Sequence, residues 1–199
     1  MLSTFISTFP KPLGVKIEES FHIINLAYAK FHRNIALCFN GGKDSTVLLD
    51  LIHRYHQMFK MDQYFNQKSF FFNVPNEFPE IQNYYLEAQK FYNQTITEIT
   101  TPNLKDGLND LVNQYSIRAI FLGVRRSDPE GSQLKPFDPT SQGWAQATRV
   151  FPILHWDYHD IWKYLDTLNI PVCKLYAQGY TSIGSVLSTK PNPKLYDEV

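Results

Sequence analysis

The sequence predicts a doubly wound α/β fold, with a mostly parallel sheet and helices on both faces, in one domain over residues 1–199. Three observations carry this prediction. Short runs such as "IALCF" (35–39), "SFFFN" (69–73) and "RAIFLG" (118–123) are apolar at successive positions, as strands buried on both faces are. They alternate with longer segments of helical period, the order that builds a parallel sheet with crossover helices. A glycine-containing turn, "NGGKDS" (40–45), joins the first apolar run to a helical pattern.

Each element follows in order. Residues 18–33 place Phe21, Ile24, Ala27, Tyr28 and Phe31 at helical spacing, which predicts a first helix. The strand at 35–39 leads through the turn into a helix from Asp44, with Val47, Leu48, Leu51 and Ile52 on one face. After the strand at 69–73, Pro79 suits the first turn of a helix reaching about Tyr92. "TITEI" (95–99) predicts a third strand, "LKDGLNDLVNQY" (104–115) a helix and 118–123 a fourth strand. The Pro-rich piece at 129–139 predicts a long loop within the domain. "HDIWKYLDTL" predicts a late helix, with Asp157 as its N-cap. The whole is a Rossmann-like arrangement. In such sheets, ligands bind beyond the carboxyl ends of the strands, here the loops 40–44, 73–79 and 123–144.

Composition sets limits on function. The chain has 199 residues, 43% of them apolar, enough for one folded domain with a sizeable core. The formal net charge is zero, which argues against a broad nucleic-acid surface. No apolar run of about 18 residues exists to span a membrane. The start, "MLSTFISTFPKPLG", lacks the charged and apolar regions of a secretory signal. It has Ser, Thr and Lys and no acid, in partial match to a transit peptide, but no Arg. Cys38 and Cys173 form no CxxC pair and sit among apolar residues; they predict reduced thiols in a reducing, cytoplasmic setting.

The turn "NGGKDS" carries the strongest chemical signal. Gly41 and Gly42 permit a tight turn and close backbone approach. The free amides at the following helix start form an anion site, and Ser45 and Thr46 add hydroxyl donors. Asp44 is the odd member, because a carboxylate repels phosphates unless a cation lies between. It is either a magnesium ligand or an N-cap. "GVRRSDPEG" (123–131) follows the fourth strand. There Gly123 permits close approach and Val124 offers backbone groups. Arg125 and Arg126 suit phosphate contact, and Asp128 either binds magnesium or fixes an arginine. "SQGWAQATRVF" holds Trp144, either a wall for a flat ligand or a core residue. "HWDYHDIW" (155–162) raises a zinc site, although Asp157 and Asp160 suit a helix start better. His53 and His56 are expected on a helix surface. Trp162 is expected in the core.

"NGGKDS" resembles the pyrophosphate loop of the ATP pyrophosphatase superfamily. With "GVRRSDP" (123–129), "GW" (143–144), "FPILHW" (151–156), "DIW" (160–162) and "GYTSIGS" (179–185), it resembles the eukaryotic FAD synthases (FMN adenylyltransferases) of the PAPS reductase-like fold. The likeness covers roughly 35–193. It implies transfer of the AMP moiety of ATP to FMN, giving FAD and pyrophosphate, with Mg²⁺ as cofactor and no nucleic-acid or membrane partner. It implies ATP at Leu37, Asn40, Gly41, Gly42, Lys43, Ser45, Phe72, Gly123, Val124 and Arg126, with Phe72 reading the base through its backbone. Catalytic roles fall to Asn40, Asp44, Arg125 and Asp128, with Asp44 and Asp128 as metal ligands. FMN is expected at Ser141, Gly143, Trp144 and Arg149; Arg149 meets either its phosphate or the ring edge. Most superfamily members have Ser at Asn40, and the family often has Asp at Ser141. The rivals are a sulfonucleotide reductase, which needs a reactive cysteine near the C-terminus, and a flavin- or ATP-binding protein without turnover. The tail after Asn192-Pro193 is expected to add little positive charge.

Overall fold

A computed structural model describes residues 1–61, 68–73, 75–101, 103–129 and 131–195. The helices are α1 (Leu2–Ile6), α2 (Lys11–Phe31), α3 (Lys43–Phe59), α4 (Pro79–Tyr92), α5 (Leu104–Tyr115) and α6 (Tyr158–Thr167). The strands are β1 (Ile35–Cys38), β2 (Lys68–Asn73), β3 (Ile96–Thr100), β4 (Ala119–Phe121), β5 (Phe137–Pro139) and β6 (Thr148–Val150). They form one sheet in the order β3-β2-β1-β4-β6-β5. Every pairing is parallel except that of β5 with β6.

The strand order locates the crevice. The chain winds outward from β1 to β2 and β3, then returns to the other side of β1 for β4. Connections therefore part company at the carboxyl ends of β1 and β4, the topological switch point where ligands enter such sheets. Short links start helices there. Pro79 opens α4 at its first turn. Asp157 caps α6 with a reciprocal bond to Asp160, satisfying two amides that the helix itself cannot.

The two faces differ in cover. α2, α3, α4 and α6 enclose a large core that includes Ile17, Ile24, Leu48, Leu51, Tyr84 and Tyr164. α5 lies on the other face and meets a smaller cluster of Ala36, Phe70, Leu108, Leu111, Ile117 and Ile120. That thinner cover leaves an apolar hollow beside the switch point.

Several expectations needed correction. The helix expected over 18–33 is α2, which begins at Lys11, and α1 precedes it; Phe5 of α1 and Phe9 of the link are buried in the main core. Phe9 stacks on Tyr164 with ring centres 5.3 Å apart. The expected loop at 129–139 ends in β5, which pairs with β6; neither strand was predicted. Both are three residues long and not continuously apolar, so they lack the run that marks a buried strand. His56 is buried rather than on a helix surface; its Nε2 lies 2.8 Å from the Tyr28 hydroxyl. Burial, with His53 adding repulsion, pushes its pKa down to about 4. Trp162 is partly buried and packs on the core. Val74 of the loop 73–79, Glu130 of "GVRRSDPEG" and the tail residues 196–199 lie outside the described residues. Among the described residues, no helix is long and apolar enough to cross a membrane.

Candidate active site

The loop at the end of β1 is shaped largely by its own side chains. Asn40 Oδ1 accepts hydrogen bonds from the Gly42 amide at 3.1 Å and the Ser45 hydroxyl at 2.7 Å. Gly41 has φ +71°, a conformation glycine adopts without a steric cost. The Lys43 amide donates to the Tyr176 hydroxyl at 2.7 Å. The Asp44 and Ser45 amides, next along the first turn of α3, remain for a ligand. Asp44 is not the cap: the N-cap is Gly42, and no side chain caps it.

Gly123 lets the end of β4 reach this helix start. A Cβ there would sit 2.8 Å from the Ser45 nitrogen. The approach brings in the second loop. Arg125, only 8% exposed, points inward. Its Nη2 donates to Asp128 Oδ1 at 3.0 Å, and its backbone amide donates to Asp128 Oδ2 at 2.7 Å. Its Nε lies 2.7 Å from Asp44 Oδ1. The N–H is not aimed at that oxygen, so the contact is an ion pair, and the shielded Asp44 Oδ1 accepts no hydrogen bond from the described residues. Asp44 Oδ2 accepts from Lys43 Nζ at 3.0 Å. Lys43 is 3% exposed and lies beneath the rings of Tyr158 and Tyr176, 5.4 and 5.9 Å from their centres. Two carboxylates and two cations thus form one balanced network.

Arg126 takes the opposite course. It is exposed, donates to the Ser132 carbonyl at 2.7 Å and lies 3.3 Å from His155 Nε2. The structure does not bring it to the loop. Leu37 is fully buried in the main core and its side chain faces no ligand space. The Ser45 hydroxyl is likewise engaged by Asn40 and the Gly42 carbonyl.

Two cavities flank Phe72. The first, about 430 Å³, is lined by Cys38, Phe72, Leu108, Ser141, Trp144 and Arg149 among others. Trp144 is 37% exposed, which excludes the core alternative. It follows a turn in which its amide bonds to the Ser141 carbonyl and Gly143 has φ +83°, a turn conformation that favours glycine. Arg149 of β6 lines the same cavity; its Nε donates to the Pro139 carbonyl at the end of β5, at 3.2 Å. The second cavity, about 310 Å³, adjoins Asn40 and includes Glu77, Ile81, Tyr85, Ile183 and Ser185. A third hollow holds Val124, Asp128 and Arg149.

Phe72 also offers its backbone. The Phe70 carbonyl accepts from the Phe39 amide on the β1 side. Two residues on, Phe72 points its backbone groups the same way, beyond the end of β1 at Cys38. They face the crevice. Sequence reasoning missed Cys38, Glu77 and Tyr176. Tyr176 gave no local signal, because it reaches Lys43 only through tertiary packing.

No zinc cluster forms around "HWDYHDIW". Asp157 and Asp160 cap α6, and His155 pairs with Glu19 at 2.8 Å. Among the described residues, no group of three or more His, Cys, Asp or Glu is gathered to hold a metal. Asp44 and Asp128 do offer two carboxylates on one guanidinium, and Asp44 Oδ1 lacks a hydrogen-bond donor. That set fits a hard divalent cation which takes its other ligands from phosphates and water.

The β1 loop and the arginine–carboxylate loop meet at the switch point of a doubly wound sheet, and the chain is of the PAPS reductase class. The phosphoadenosine phosphosulfate reductase domain family matches residues 34–110 and 105–191. A probable FAD synthase of Caenorhabditis elegans is 40% identical over 90% of this chain and 35% of its own length. One of Schizosaccharomyces pombe is 36% identical over 90% of this chain and 70% of its own. The crystal structure of Candida glabrata FMN adenylyltransferase with FMN and the ATP analogue AMPCPP superposes with a TM-score of 0.87. It is 27% identical, over 97% of this chain and 72% of that one. The chain belongs to the FAD synthase family. It spans about a third of the Caenorhabditis relative's length.

Proposed function

We propose that this chain, as one domain over residues 1–199, is an FMN adenylyltransferase that converts FMN and ATP to FAD and pyrophosphate. The observation that carries the proposal is the meeting of the β1 loop and Arg125 at the switch point, beside a cavity bearing Trp144. The FMN phosphate oxygen attacks the α-phosphorus; a new P–O bond forms as the bond to pyrophosphate breaks. No protein nucleophile is needed. Catalysis is placement plus charge neutralisation.

The Asp44 and Ser45 amides hold the β,γ-phosphates with Gly41 and Gly42, and the loop closes over the leaving group. The Asn40 carboxamide nitrogen is directed by the bonds its oxygen makes; it holds a phosphate oxygen. Arg125 offsets repulsion between the two phosphate-bearing substrates. The Phe72 backbone reads adenine. Trp144 walls the flavin, with Ser141, Gly143 and Arg149 around it. The protein's own network is near neutral, whereas the two substrates bring several negative charges. Asp44 and Asp128 would hold Mg²⁺, which would supply Lewis-acid neutralisation of the leaving phosphates.

The sulfonucleotide reductase alternative is disfavoured by the thiols. Burial pushes Cys38 up to about 12 and also raises Cys173. Neither is the ready thiolate that such chemistry needs. Both cysteines are free, which suits the reducing cytoplasm, the compartment we assign.

The test is incubation with FMN, ATP and Mg²⁺ and chromatographic separation of the flavins. FAD and pyrophosphate should appear, and riboflavin should not replace FMN because it lacks the attacking phosphate. ADP and phosphate instead, or binding without FAD, would overturn the proposal.

A further inference from the structure

Glu77 sits between β2 and α4, at the rim of the second cavity. Its Oε1 accepts a hydrogen bond from the Tyr85 hydroxyl at 2.9 Å. Tyr85 is buried and stacks on Phe71 with ring centres 3.8 Å apart, so the carboxyl is held in one orientation. Its other oxygen, Oε2, is shielded from solvent and has no hydrogen-bond partner among the described residues. Buried polar atoms of this kind are rare, and each calls for a reason. The surrounding walls, Phe72, Ile81, Leu104 and Ile183, are apolar. They suit a flat ring or the carbon face of a sugar.

We propose that Glu77 Oε2 is the acceptor for a neutral O–H or N–H donor on a nucleotide substrate bound in this second cavity. The donor is a ring amine or imide, or a sugar or ribityl hydroxyl. A phosphate is ruled out by like charge. The cavity adjoins Asn40 of the phosphate loop and shares Phe72 with the Trp144 cavity, so a ligand there is continuous with the transfer site. The proposal rests on the adenylyl-transfer reading and names a positioning residue for it. Burial, with repulsion from Glu98, raises the Glu77 pKa against the effect of the Tyr85 bond. A neutral donor from the ligand would give the shielded oxygen the partner that the protein withholds.

The two sources of such a donor are flavin and adenosine, and separate titrations distinguish them. Glu77→Gln keeps the shape, and its carbonyl can still accept from Tyr85, but it turns an NH₂ donor toward the ligand. FMN and AMPCPP would each be titrated calorimetrically into the full chain. The dissociation constant of one should rise at least tenfold and that of the other stay within twofold, with the melting temperature unchanged or higher. Glu77→Asp, which withdraws the oxygen by one methylene, should weaken the same ligand. No change for either ligand, or equal weakening of both, would overturn the assignment. If the unmodified chain binds neither FMN nor AMPCPP, the adenylyl-transfer reading falls and this proposal with it.

Discussion

The guanidinium of Arg125 stands between two carboxylates, with Nε 2.7 Å from Asp44 and Nη2 3.0 Å from Asp128. Asp44 comes from the first turn of α3 and Asp128 from the turn after β4. The contact therefore ties the two loops of the switch point together. Among the described residues, the neighbouring Arg126 reaches the Ser132 carbonyl and His155 instead. Adjacent side chains on an extended segment point to opposite sides, and here that separation assigns the inward role to Arg125.

Arg125→Ala should lower kcat/KM by at least ~1.5–3 kcal/mol, the range for a hydrogen bond to a charged group. It should also lower the melting temperature, because Asp44 and Asp128 lose their shared cation. Arg126→Ala should cost little, as exposed polar contacts usually do. Steady-state kinetics with melting curves would check both. Two fully active variants would remove this loop from the mechanism.

Asp44→Asn should lose most turnover and flatten the dependence of ATP binding on Mg²⁺. The substitution keeps an oxygen near Lys43, which is nearly inaccessible to solvent and would otherwise lack a partner. Activity must be measured on folded protein, since breaking a buried pair can cost about 3–5 kcal/mol. Near-parental turnover across magnesium concentrations would exclude Asp44 as a metal ligand.

Trp144→Ala should weaken FMN and FAD about tenfold or more while leaving ATP binding unchanged, because a lost ring stack is worth ~1–3 kcal/mol. The side chain is already partly exposed, so stability should hardly change. A variant that binds FMN normally would remove the indole from the flavin site.

Gly123→Ala should disrupt the site without removing any functional group. Its added Cβ would meet the Ser45 nitrogen at 2.8 Å and the Asp44 carbonyl carbon at 2.9 Å. Both are backbone atoms, so α3 and β4 must separate. A loss of roughly 1–3 kcal/mol of stability is expected for such overpacking, together with weaker ATP binding. A thermal melt and an ATP titration indistinguishable from the parent would show that the approach is not tight.

Acid should expose the buried histidine. His56 titrates near 4 in the folded protein because burial disfavours its charged form, against about 6.5 in an unfolded chain. Between those values the unfolded state binds the extra proton. Stability is therefore lost as pH falls from about 6.5 toward 4, by up to roughly 3 kcal/mol. Denaturant titrations of the parent and His56→Gln at several pH values should show a shallower acid limb in the variant. Parallel limbs would mean that His56 charges freely in the native state.

The sequence by itself determined the frame: α3, α4 and α5 ended where the helical period predicted, because that period is a local property of the chain. It also pointed to "NGGKDS" and "GVRRSDPEG" as the loops in which to expect phosphate chemistry, because glycines and basic residues at a strand end are local patterns. It did not reveal the short strands β5 and β6, whose pairing rests on each other rather than on an apolar run. Nor did it reveal the burial of Phe5, Phe9 and His56. Tertiary structure alone decided which arginine turns inward, and that Tyr176 binds the Lys43 amide. It also brought Glu77 to a cavity with Asn40. These depend on elements distant in the chain meeting at the sheet's carboxyl edge. No local pattern encodes the side on which a distant neighbour will pack.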